Sequence, residues 1–414
     1  MALSAHAEAP AHGAPPAAAA GPVPTVVRPL ADPFLDVEAY DPEGDLMVLN
    51  LGPQHPSTHG VFRVKLWLDG EVCIKAVPYA GYLHRGVEKL CEKLSYVMIP
   101  PIVDKNDYVS PYNNELAINL AFEALGGVEP PRRSQYLRTL GSEMQRVASH
   151  LLWLGTFGLD MGGAIGGGAS VFMHAFRERE TILDCFELWT GGRFHYNTLT
   201  VGGNRHDLPA GFADLVKQTY TRIRERVSEY DALLLDSSIF LARTRGVGRV
   251  DARLAMELGV SGPILRASGV DVDLRRDKPY AAYNEVKVNV PVRSGGDCLA
   301  RYEVRIAELR ESIRLVLDLI EGIPEGPICA LKPVKLPGAY KGKAGCAYAA
   351  IEGPRGELGT WVIGDGSDKP YRCKIRPPSY HAVSLIPYLA PGNNVSDIIV
   401  TLGSLDPILG EVDR

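Results

Sequence analysis

Between Phe62 and Leu68 apolar residues stand at every second position: Phe62, Val64, Leu66 and Leu68. That period belongs to a half-buried strand. Asp69-Gly70 ends the run with a hairpin signal, so Glu71–Val77 is expected to return as a second strand. Upstream, Leu46-Met47-Val48-Leu49 predicts a third. The period then lengthens. Residues 112–126 predict a helix up to Gly126-Gly127, and residues 133–158 a longer one, with Leu137, Leu140, Met144, Val147, Leu151 and Leu154 on one face. Phe176–Leu188, Phe212–Leu235 and 302–322 also read as helices. Leu and Ile at such spacings form core and carry no chemistry. Strands return at Ala347–Glu352 and Thr360–Gly364, joined by a Gly/Pro-rich turn. The expected class is α+β: mainly a helical bundle, with small β elements from the N- and C-terminal parts.

The loop between the first strands, LNLGPQHPSTHGVF (49–62), places His55 and His59 four residues apart. On a helix this spacing would suit a metal. Pro56 forces His55 towards an extended conformation, and Gly52-Pro53 and Gly60 punctuate both ends. The pair therefore sits on a loop and loses the geometric basis for chelation. The residues alone leave two further roles open: shaping the loop through backbone bonds, or facing a ligand or proton from a rigid scaffold.

Residues 1–35 are an Ala/Pro/Gly tail, with almost no charge and too few bulky side chains to offset the entropy of ordering. It reads as a linker or docking arm, without the basic start and long apolar core of a signal peptide. The remaining 36–414 divides into a β region (45–80), a helical core (81–330) and a C-terminal β/helix region (345–414). Net charge is −5, from 44 basic and 49 acidic residues, which gives no nucleic-acid footprint. No apolar run approaches the roughly 20 residues of a membrane span, so a membrane role would be peripheral. Seven cysteines are scattered with no Cys-x-x-Cys pair, as expected of reduced thiols and not of a chain that ligates its own zinc or iron–sulfur cluster. There is no P-loop, dinucleotide fingerprint or nucleophile elbow.

Polar clusters remain. They are the His55/His59 loop, GYLHRGVEK (81–89), KNDYVSPYNNE (105–115) and GGRFHYNTLTVGGNRHDLP (191–209). Each alone reads as a cap or a surface loop. Together they suggest an interface that holds a ligand or a partner's cofactor.

GPQHPSTHGVFRVKLWLDGE, GYLHRGVEKL, DYVSPYNNE, GVSGPILRASG, DGSDKPYRCKIRPPS and the terminal GEVDR occur in this order over about 45–414. In these blocks the chain resembles the 49-kDa subunit family of respiratory complex I, the NADH–quinone oxidoreductase. The resemblance implies a fold like the nickel–iron hydrogenase large subunit, with its metal cavity reused for a quinone headgroup. Hydrogenases hold their metals with two Cys-x-x-Cys pairs. LHRGVEK and GEVDR stand near those positions here and carry no cysteine pair. By resemblance, His59 and Tyr108 hydrogen-bond the quinone carbonyls and Asp160 partners His59. Arg85 and His195 lie near the terminal 4Fe-4S cluster that a neighbouring subunit ligates, without ligating it. The C-terminal region closes the site. The implied function is quinone reduction (ubiquinone or menaquinone) in a proton-pumping complex that oxidises NADH elsewhere. The implied partners are the cluster-bearing subunit, the adjoining peripheral-arm subunits and the membrane subunit at the quinone entrance. The implied place is the cytoplasmic face of the cell (inner) membrane.

The chain departs from the family pattern in three places. About five extra residues, Gly-rich, follow Asp160 near 162–168. Thr200 stands where the family has an arginine, and Lys105 where it has another. Lysine keeps the charge but not the planar fork. Besides a quinone-reducing subunit, three readings compete: a complex I-like assembly using another electron donor, a metal-dependent hydrogenase subunit, and a scaffold that has lost turnover. The missing cysteine pairs oppose the hydrogenase. The presence of His59, Tyr108 and Asp160 together opposes the scaffold.

Overall fold

A computed structural model describes residues 43–161, 168–331 and 340–414. The Ala/Pro tail and most of the Gly-rich insertion, 162–167, lie outside the described residues.

An antiparallel sheet opens the fold: β1 (Met47–Leu51), β2 (Arg63–Asp69) and β3 (Val72–Tyr79), with β2 central. Phe62, Val64, Leu66 and Leu68 are all buried, as their alternation requires. β3 runs past the expected Val77 through Pro78. It is an edge strand, where a missing N–H breaks no ladder on its outer side.

The helical core follows: α1 (Pro111–Gly126), α2 (Arg132–Asp160), α3 (Gly168–Thr190), α4 (Phe212–Leu235) and α5 (Cys298–Gly322). α2 is the central rod, packed against α3 and α5. Its six predicted apolar residues are all buried. At about 1.5–3 kcal/mol each, they outweigh helix-propensity differences, which stay below about 1 kcal/mol per residue. α3 starts eight residues before the predicted Phe176. Gly155 of α2 lets it approach, since a Cβ there would sit 3.2 Å from the Phe172 backbone. Tertiary packing overrides the weak local signal.

A second antiparallel sheet joins β4 (Gly345–Gly353), β5 (Gly356–Gly364) and β6 (Pro370–Arg376), with β5 central and α1 packed on it. β6 was not anticipated. Of its apolar side chains Pro370, Cys373 and Ile375 are buried and Tyr371 is exposed, and the charged residues Arg372 and Lys374 mask the alternation. The chain ends in α6 (Val395–Leu405) and α7 (Leu409–Asp413). Ile398, Leu402 and Leu405 of α6 join the core under the first sheet, while Val400 joins that of the bundle. α6 therefore seals the seam between the two, and the polar clusters converge on that seam.

Candidate functional site

The His loop folds as a one-turn 3-10 helix, Pro56–Thr58, inside a two-residue ladder. Local bonds define it. His55 Nδ1 lies 2.6 Å from Ser57 Oγ and accepts from Ser57 N–H. The Thr58 hydroxyl donates to the carbonyls of His55 and Gly60. His55 thus shapes the loop. His59 is held in the left-handed region, φ 53°, sparsely used by non-glycine residues. That backbone turns its ring away from His55 and towards α2.

There His59 Nε2 meets Asp160 Oδ2 at 2.6 Å, with the two side chains 9% and 8% exposed. Burial alone would lower the His59 pKa. The hydrogen bond and charge of Asp160, helped by Asp406, more than offset it and leave the imidazole raised. Asp160 is the last residue of α2, so a helix of 29 residues positions it. Gly403 of α6 packs against the pair. A Cβ there would fall 2.0 Å from Asp160 Oδ2.

Tyr108 precedes α1, and among the described residues its hydroxyl has no hydrogen-bond partner within the chain. Burial, then the charge of Asp107, raises its pKa, so it remains a donor. His59, Tyr108 and Asp160 all line one cavity of about 530 Å3, walled by Val109, Leu152, Leu159, Phe194, Ile399 and Ile408. A mainly apolar chamber of that size with a few convergent polar groups is the ordinary form of a small-molecule site.

Behind Tyr108 stands a group that the polar pattern of the sequence did not reveal. Arg355, in the β4–β5 turn, donates from Nη1 to Asp107 at 2.8 Å and from Nη2 to Asp406 at 3.3 Å. Asp107 also accepts from the amides of Val109 and Ser110. Glu411 of α7 accepts from the Ser379 hydroxyl at 2.5 Å, and burial followed by the charge of Asp107 pushes its pKa up to about 8. Only Asp107 and Glu411 had a signal in the sequence, as charged residues inside DYVSPYNNE and GEVDR; Arg355 and Asp406 lie in neither block.

Arg85 and His195 do not line the cavity; both lie by Asp104, and His195 adjoins the cavity. Arg85 is exposed and donates to Asn106 at 2.8 Å. His195 Nδ1 lies 3.2 Å from the buried Asp104 carboxylate, without hydrogen-bond geometry. Burial lowers the His195 pKa and raises that of Asp104, so both lean towards neutrality. Phe194, which lines the cavity, stacks edge-on against His195.

The two segments without cysteine pairs meet. The Asp413 carboxylate accepts from Gly81 N–H at 2.7 Å and Leu83 N–H at 2.6 Å, and the Arg414 carbonyl accepts from Arg85 N–H. A carboxylate clamp on backbone amides joins the chain's end to GYLHRGVEK. At Thr200 another arginine occupies the turn. Arg138 of α2 donates to the carbonyls of Thr200 and Gly203 while paired with Glu123. Lys105 reaches the Pro101 carbonyl and Asp104 and stays half exposed.

A family model described as the 49-kDa subunit of respiratory-chain NADH dehydrogenase matches residues 166–414. A relative from Geobacillus thermodenitrificans, a subunit of its NADH-quinone oxidoreductase, is 45% identical over 368 residues, 89% of this chain and 98% of that protein. The corresponding NADH-quinone oxidoreductase subunit of Koribacter versatilis is 43% identical over 389 residues, 89% of this chain and 96% of that one. Among solved structures, a chain of the membrane-bound sulfane sulfur reductase, an archaeal respiratory membrane complex, is 33% identical with a TM-score of 0.85, covering 90% of this chain and 99% of the other.

Proposed function

The chain belongs to the family of the 49-kDa subunit of respiratory-chain NADH dehydrogenase, and on that premise we propose that its cavity is where a quinone headgroup is reduced. One observation carries the reading. The His59–Asp160 pair and the Tyr108 hydroxyl, from three distant segments, face the same mainly apolar chamber.

Quinone reduction to quinol takes up two electrons and two protons. Nε2 of His59 is engaged by Asp160, which leaves Nδ1 to meet one quinone oxygen. The raised pKa favours the imidazolium, a donor at both nitrogens. Transfer from Nδ1 leaves the neutral tautomer still bonded to Asp160. Tyr108 donates to the other oxygen. Apolar walls exclude water and strengthen both bonds. The exposed Arg85 and half-buried His195 suit the flank of an iron–sulfur cluster held by a neighbouring subunit, where a cation and an imidazole tune the potential. That cluster, when present, supplies the electrons. Discharge of His59 leaves the Asp160 carboxylate uncompensated, and this charge change is the step we couple to proton translocation.

In this reading the chain works only within a proton-translocating NADH:quinone oxidoreductase, whose NADH is oxidised in another subunit. It sits peripherally at the cytoplasmic face of the membrane, between the cluster-bearing subunit, other peripheral-arm subunits and a membrane subunit. Among the described residues no helix is long and apolar enough to cross a membrane. The likeness to a chain of a sulfane sulfur reductase favours a second reading, an assembly of the same shape with different redox partners.

The test is inhibitor-sensitive quinone reduction by membranes carrying His59→Ala or Tyr108→Phe, with assembly checked by native gel. Loss of one proton donor should slow turnover about 100-fold or more. Wild-type rates in both assembled variants would move these residues to a structural role and favour the second reading.

A further inference from the structure

We propose that Asp107, Asp406 and Glu411, gathered around Arg355, hold one mobile proton and return it to Tyr108 after that hydroxyl has protonated the substrate. The inference rests on the quinone-site reading and adds to it the source of a proton.

Charge counting comes first. Three carboxyls face one guanidinium, and the side chains of Arg355, Asp107 and Asp406 are 2%, 5% and 4% exposed. Glu411 is buried as well. A second buried guanidinium, Arg305, also acts on Asp406, so full ionisation of the three carboxyls would leave one uncompensated negative charge, which a low-dielectric interior resists. One carboxyl therefore keeps a proton. The hydrogen bonds identify which one. Asp107 and Asp406 hold the guanidinium. Among the described residues Glu411 bonds only to Ser379, through its hydroxyl and its amide. Its pKa of about 8 agrees.

The cluster reaches the cavity at two points. Asp406 lines it, and its Oδ2 is buried without a hydrogen-bond partner, 3.3 Å from Arg355 Nε but outside bonding geometry. Tyr108, next in sequence to Asp107, lines it too. Its ring packs on Gly410, the residue before Glu411: a Cβ there would be 3.2 Å from Tyr108 Cδ1. Among the described residues, the helix packed against α7 brings no charge to Glu411. The helix Pro378–Val383 offers Ser379, while its His381 is turned to the Leu258 carbonyl. Asp413 is bound to the Gly81 and Leu83 amides.

The step balances. The Tyr108 O–H bond breaks and a quinol O–H forms, with the electrons supplied by the neighbouring subunit's cluster. The tyrosinate oxygen then takes the stored proton, re-forming Tyr108 O–H and leaving three carboxylates around Arg355. A solvent proton refills the store.

The experiment compares Glu411→Gln with wild type in assembled complex in membranes, measuring quinone reduction against pH. Wild type should lose rate as pH rises through about 8, where the store empties. Glu411→Gln keeps a neutral group that cannot release its proton. It should be about tenfold slower at neutral pH and lack the limb near 8. Ser379→Ala removes a donor to the ionised carboxylate, so its limb should move to higher pH. Independently of turnover and of variant assembly, infrared spectra of the wild-type complex should show a protonated-carboxyl stretch that titrates over the same range. A wild-type profile in Glu411→Gln, an unmoved limb in Ser379→Ala, or no such band in wild type would each overturn the proton store. If Tyr108→Phe leaves quinone reduction unchanged, the quinone site itself fails. If Tyr108→Phe is inactive while Glu411→Gln is normal, only the store fails.

Discussion

His59 and Asp160 stand 101 residues apart in the chain and meet at 2.6 Å, one on a left-handed loop position, the other on the last residue of the longest helix. The pair raises His59 against the pull of burial. A group whose folded pKa is raised contributes its full stability below the unfolded value of about 6.5, and loses it as pH rises through the folded value. Asp160→Asn should therefore destabilise the assembled protein by about 1–3 kcal/mol near pH 6. The deficit should shrink in alkali. Thermal inactivation of the two proteins across that range checks it, and a deficit independent of pH would contradict the ion pair.

Gly403 tests the same pair from the other side. Alanine favours a helix over glycine by about 1 kcal/mol, so α6 itself should gain. The added Cβ would nonetheless overlap Asp160 Oδ2 at 2.0 Å and reach 3.4 Å from His59 Nε2. Gly403→Ala is expected to assemble normally and to slow quinone reduction, because the new Cβ pushes the Asp160 carboxylate away from His59. Wild-type turnover would show that the carboxylate can move without consequence.

The bundle interior holds a salt network that no apolar pattern announces. Arg266 donates to Glu308 at 2.6 Å and to Glu352 at 2.7 Å, and Arg275 binds Asp273 at 2.7 Å, all of them buried. Removing one member strands the opposite charge, at a cost of about 3–5 kcal/mol. Arg266→Ala should lower the thermal midpoint and the yield of assembled subunit sharply. Arg266→Lys should not restore it, because one ammonium cannot replace a fork that reaches two carboxylates.

Arg85 offers a further test. It is exposed and held by Asn106 beside Asp104 and His195. Replacing the cation with a neutral side chain disfavours an added electron nearby. Arg85→Met should lower the midpoint potential of the neighbouring subunit's cluster by tens of millivolts, where about 59 mV is a tenfold change for one electron. Redox titration of the cluster's spectroscopic signal reads this directly. An unchanged potential would place Arg85 away from the cluster.

By itself the sequence determined what depends on local pattern. Period two placed the β1–β3 sheet, period 3.6 placed the bundle, and Pro56 with Gly52 and Gly60 made the His55/His59 stretch a loop instead of a chelating helix. The six blocks pointed to the family, and the family to His59, Tyr108 and Asp160. Tertiary structure alone decided the rest. β6 pairs in spite of its charges because a ladder edge was available to it. α3 starts early because Gly155 admits Phe172. The carboxylate–arginine cluster behind Tyr108 draws on Asp107, Arg355, Asp406 and Glu411, which share no element and no spacing. Periodicity reports which face of one element is buried. It carries nothing about which buried charges from distant elements meet, because that is fixed by how the elements pack, and there the burial that shifts each proton affinity is first created.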